Sequence, residues 1–215
     1  MSLRGSVRFC RWIIALLALS GIAISYFAIT PAAHVSRLKL TTNFLSYFTI
    51  QSNILLVIVL LWAEISPSSV IGRWAGRSST KTALLIYTGV AGGVYVWMLK
   101  DVWHPSGWQL RGDQILHCWI PSFVALDWMF LVERGKLAWR DAICWLLFPV
   151  LYSVYSLVHG HLSGFYPYPF LDVSDIGPQA TLINMALLGA LFLVLGAVFI
   201  VLDRIAARLG SRQTL

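Results

Sequence analysis

Apolar residues along this chain gather into six runs separated by short polar connectors, at about residues 9–30, 44–65, 82–99, 114–132, 139–160 and 178–202. A bilayer core about 30 Å thick takes roughly 20 helical residues to cross, and each run is close to that length. The pattern predicts an all-α polytopic membrane protein, a single domain over residues 1–215 built as a bundle of six transmembrane helices. The first run follows Arg4, Arg8 and Arg11, as a secretory signal would. It is too long for a signal core and no A-x-A-like cleavage site follows it, so it reads as a retained span.

Composition agrees: 58% hydrophobic residues, 12% charged residues and a mean hydropathy of +0.75 leave too little polar surface for a water-soluble globule. Charge adds direction, because Lys and Arg near the ends of spans stay on the cytoplasmic side. With six spans, the N-terminus, the second and fourth connectors and the C-terminal tail share one face. They carry Arg4, Arg8, Arg11, Arg73, Arg77, Lys81, Arg134, Lys136, Arg140, Arg204, Arg208 and Arg212, twelve of the sixteen basic residues. The other face has Arg37, Lys39, Lys100 and Arg111. Both termini are therefore expected in the cytoplasm, and the net charge of +7 is accounted for by topology and anionic headgroups. No nucleic-acid partner is implied. Cys10, Cys118 and Cys144 make no C-x-x-C pair, so no disulfide framework, zinc site or c-type haem is expected, and no cofactor or metal is assigned.

Against this background the run Tyr47-Phe48-Thr49-Ile50-Gln51-Ser52-Asn53 stands out as polar inside a predicted span. Thr42, Ser46, Thr49 and Asn53 are spaced four, three and four apart, so an unbroken helix would align them as one stripe with Ser52 beside it. Counting ~1.5 Å per residue puts Thr49 ~7.5 Å inside the outer end of its span. The fourth span enters from the same side, with His117 about one turn inside. Thr49 and His117 are thus expected at similar depth. Pro121 cannot donate to the carbonyl of His117 four residues earlier, so a kink and an unpaired acceptor are expected beside the imidazole. Such an acceptor needs a partner or a wet cavity.

All five histidines, His34, His104, His117, His159 and His161, fall in the predicted outer half. His34 and His104 read as interfacial residues. Asp127 is the acid deepest within a span, and in hydrocarbon it costs a few kcal/mol or more unless paired, hydrated or protonated. It lies ~15 Å below His117 and about 80° around the helix, which separates the two. The last outer connector, from His161 to Asp172, is aromatic and proline-rich, and is expected to fold back as a lid or interfacial collar.

A threonine hydroxyl becomes a nucleophile when a neighbouring base takes its proton, and neutral imidazole is the usual base near neutral pH. Three stretches carry a family resemblance: Phe44 to Thr49, Leu116-His117 followed by Pro121, and His161-Leu162-Ser163-Gly164-Phe165-Tyr166-Pro167-Tyr168-Pro169-Phe170-Leu171-Asp172. Together they resemble the androgen-induced family of six-span membrane hydrolases and its bacterial relatives. In characterised animal members an intramembrane threonine and histidine hydrolyse esters that join one fatty acid to the hydroxyl of another. The resemblance implies Thr49 as nucleophile and His117 as base, a lipid or acyl-ester substrate, and the bacterial plasma membrane as location. Ser46, Ser52, Asn53, His161 and Tyr168 are the candidates for the substrate and oxyanion pocket. Two other readings are weighed beside it. A small transporter or lipid-binding protein would use the stripe and Asp127 as a path, and a haem or quinone protein would use His117 and His159 as ligands.

Overall fold

The computed structural model describes residues 3–30, 35–99 and 104–212, which are helical with short connectors and contain no strand. His34 and Lys100 lie outside the described residues. Five helical stretches are long and apolar enough to cross a membrane: Gly5–Ile29, Phe48–Ile65, Gly107–Leu131, Trp139–Ser163 and Val173–Leu209. The third predicted span is not among them. Its α-helix, Ser78–Val94, is only 17 residues long before it gives way to a π-helical turn at Tyr95, and its Thr80, Thr82 and Thr88 side chains are buried.

The chain divides into two compact units, Met1–Val132 and Glu133–Leu215. In the first, α1 (Leu3–Ile29) packs along α3 (Phe48–Ile65), α6 (Gly107–Gln114) and α7 (Ile120–Leu131), and α5 (Ser78–Val94) packs against α3 and α7. Two short helices, α2 (Arg37–Leu45) and α4 (Val70–Ala75), flank α3. Each of two helices contains a π-helical turn: α5 continues as Tyr95–Leu99, and α6 passes into α7 through Ile115–Trp119. The second turn lies just before Pro121, and there the Ile120 N–H bonds the carbonyl of Ile115, five residues back. The proline is thus accommodated by a widened turn.

The predicted 44–65 span is interrupted. Ser46 turns its hydroxyl back onto the Asn43 carbonyl (2.6 Å) and Tyr47 adopts extended backbone, which ends α2 and starts α3 afresh at Phe48. The period therefore does not carry through, and Thr42 sits exposed, bonded to its own helix at Leu38. Phe44, Ile50 and Leu116 form a buried apolar cluster, joined by Tyr26 and Tyr47, that fixes this junction against α1 and the π-helical turn. Tyr26 adds a hydrogen bond to Thr41 (2.7 Å).

In the second unit α8 (Trp139–Trp145) and α9 (Leu147–Ser163) pack on α10 (Val173–Arg212), which is broken at Gly177 before Pro178. Asp203, 1% exposed, accepts the backbone N–H groups of Gly135 (3.0 Å) and Leu137 (3.1 Å) and so ties the 133–138 connector to α10. The aromatic connector folds back within this unit. Tyr168 is buried and stacks on Phe170, and the Phe170 carbonyl accepts from Asn184 (2.9 Å).

Candidate active site

The restart of the chain at Phe48 puts Thr49 in the first turn of α3, where it is 6% exposed. Its backbone is held from within the helix, since the Thr49 carbonyl accepts both the Ser52 hydroxyl (3.1 Å) and the Asn53 amide (2.8 Å). Its side chain leaves the helix: Thr49 Oγ1 lies 3.1 Å from His117 Nε2.

The other ring nitrogen decides the direction of that hydrogen bond. His117 Nδ1 is 3.1 Å from the carbonyl oxygen of Asp113, one turn earlier. A carbonyl can only accept, so Nδ1 carries the proton and the neutral ring presents Nε2 as acceptor to the Thr49 hydroxyl. The network thus assigns the tautomer in which an unprotonated ring nitrogen faces a hydroxyl.

Three further groups hold the ring. Tyr95, from the π-helical turn after α5, stacks on His117 with ring centroids 4.2 Å apart and planes 14° from parallel. The Asp113 carboxylate lies 3.8 Å from Nδ1, with Tyr95 beside it. Behind the ring, Gly92 of α5 presses on the His117 carbonyl, the one that Pro121 leaves without its helical donor. A Cβ at Gly92 would stand 2.5 Å from that oxygen. The acceptor expected to need a partner or a wet cavity thus faces closely packed glycine backbone.

The chain matches no family model, no curated protein and no solved structure. Thr49 and His117 are brought together in the first unit with Ser46, Ser52 and Asn53 around them. Ser46 and Ser52 spend their hydroxyl hydrogens on backbone carbonyls, whereas Asn53 Oδ1 is fully buried with no hydrogen-bond partner among the described residues. His161 and Tyr168 belong to the second unit, where His161 is exposed and Tyr168 is buried against Tyr152 and Phe170. His159, also in that unit, stacks on Tyr155 and meets the edge of Phe165.

Two residues of the site carry no role in the sequence reading. Asp113 had a signal, since it stands four residues before His117 and so on the same helix face. Tyr95 had none. Asp127 is paired, and its partner is Arg11 (3.0 Å), which is itself buried and reaches Glu64 at 3.2 Å. A residue counted among the flanking positive charges is thus a buried ion-pair partner.

Proposed function

We propose that this protein is a membrane-embedded ester hydrolase in which Thr49 is the nucleophile and His117 the general base. The observation that carries the reading is the 3.1 Å contact from Thr49 to the ring nitrogen that the Asp113 carbonyl leaves unprotonated. Thr49 Oγ attacks the ester carbonyl carbon as its proton passes to His117 Nε2. Collapse of the tetrahedral intermediate breaks the ester C–O bond, and His117 returns the proton to the leaving alkoxide. Water then attacks the acyl-threonine, giving one proton to His117, and the acid leaves as that proton returns to Thr49. The developing oxyanion would form beside the first turn of α3, the positive end of its dipole, with the Asn53 amide one turn further along the same helix.

The same reading takes the chain as six-span, with both termini cytoplasmic and the site in the outer half of the plasma membrane. It is supported by the twelve basic residues that this topology gathers on one side. A lipid ester could then enter from the outer leaflet, which fits the motif resemblance to the androgen-induced hydrolases. The transporter reading loses ground because Asp127, the polar group it needs at depth, is occupied by Arg11.

Hydrolysis of p-nitrophenyl acyl esters by the detergent-purified chain tests the proposal. Thr49→Ala and His117→Ala should each lower turnover by roughly a thousandfold or more, while Thr49→Ser retains activity. Turnover in both alanine variants equal to that of the starting protein would exclude the pair as the catalytic unit.

A further inference from the structure

The base of a nucleophile–base pair needs two things beyond contact: a fixed ring orientation, and compensation for the positive charge it gains when it takes the proton. We propose that Tyr95 and the Asp113 carboxylate supply these as positioning residues of the Thr49–His117 site, Tyr95 clamping the ring and its hydroxyl holding the carboxylate beside Nδ1. The inference rests on the hydrolase reading and deepens it.

The two residues act through one closed circuit. Asp113 contacts His117 twice, with its backbone carbonyl at 3.1 Å and its carboxylate at 3.8 Å from the same nitrogen. The carbonyl selects the tautomer, and the carboxylate adds a full negative charge. Tyr95 lays its ring over the imidazole with the carboxylate beside it, so displacement of either partner is felt by the other. With side chains of His117 and Asp113 only 11% and 15% exposed, water screens the carboxylate–imidazolium attraction weakly. The resting neutral ring gains little from the carboxylate, whereas the imidazolium formed during attack gains much. This is the difference that accelerates a step.

Two π-helical turns build the arrangement, one starting at Tyr95 and the other enclosing His117. Such turns are frequent at functional sites because the widened register re-aims a side chain. Gly92, three residues before Tyr95, lets the two helices close until no room is left for a Cβ beside the His117 carbonyl.

The test uses the purified full-length chain in detergent micelles and a fluorophosphonate probe, which separates binding from chemistry. In the chemical step Thr49 Oγ bonds phosphorus, the P–F bond breaks, fluoride leaves and the threonine proton goes to His117. The maximal inactivation rate kinact and the half-saturating concentration KI are measured for each variant. Asp113→Asn keeps the backbone carbonyl and the side-chain shape while removing the charge. It should lower kinact by about tenfold to a hundredfold, the range expected for a charge a few ångströms from an imidazolium, with KI unchanged. Tyr95→Phe keeps the stack and loses the hydroxyl, so its kinact falls less than that of Tyr95→Leu, which loses both. If Asp113→Asn does not fold, the Tyr95 pair carries the same comparison. Asp113→Asn reacting at the starting rate, or Tyr95→Phe and Tyr95→Leu both doing so, overturns the inference. So does a change confined to KI. Absence of any labelling of the starting protein overturns instead the hydrolase reading, and the inference falls with it.

Discussion

At His117 one ring nitrogen faces a carbonyl and the other a hydroxyl, and that asymmetry sets the direction in which a proton can move. Counting from the ends of their spans put Thr49 and His117 at similar depth and the motif resemblance singled them out together, but neither could show the contact between two helices. Asp113 was within reach of the same counting, since a four-residue interval already stacks it over His117 on a helix. Tyr95 was not, because its contact depends on how α5 and the α6–α7 helix close on each other. Arg11 shows a similar limit. As a letter in the chain it is one of several arginines at a span end, and only its packing reveals the bonds to Asp127 and Glu64. Removing one member of such a buried pair strands the other, at a cost of about 3–5 kcal/mol. Arg11→Met should therefore melt well below the starting protein in detergent, and Arg11→Met combined with Asp127→Leu should recover much of the loss. A single variant that melts unchanged would show that the ion pair contributes nothing to stability.

Elements were read well where a long apolar run met no competing hydrogen bond, and poorly where a side chain bonded the backbone. The 44–65 run looked like one helix because its length suits a span and its polar residues keep a helical spacing, but the Ser46 hydroxyl competes for the Asn43 carbonyl and ends α2 there. That break is also what places Thr49 in the first turn of a helix instead of more than a turn inside one. The π-helical turn before Pro121 was half legible: a proline predicts a disturbed turn at His117, though not that Gly92 would fill the space. The glycine can be tested against a neighbour on the same helix. Gly92→Ala places a methyl 2.5 Å from the His117 carbonyl and 3.3 Å from Pro121, whereas nothing lies within 4 Å of a Cβ at Gly89. Gly92→Ala should cost about 1–3 kcal/mol and lower ester turnover by displacing His117. Gly89→Ala should change neither. Equal melting temperatures and equal turnover for the two variants would contradict the close approach of α5 to His117.

For the molecule as a whole, all-helical architecture with several membrane-length helices followed from composition and run length alone. Five helices meet that length and apolarity in the structure, while α5, with its buried threonines, is drawn into the interior of the first unit. The placement of polar groups by depth bears on what the molecule does. A path across the membrane needs accessible polar groups at successive depths, yet in the first unit the deep acid is neutralised by Arg11 and the exposed Thr42 drops out of the stripe. Polar chemistry is concentrated at Thr49, His117, Asp113 and Tyr95. The most direct measurement is peptide mapping by mass spectrometry after fluorophosphonate treatment of the purified protein and its Thr49→Ala and His117→Ala variants. The account predicts a phosphonyl adduct on Thr49 that is lost in both variants. An adduct on another residue that persists undiminished in both would contradict it.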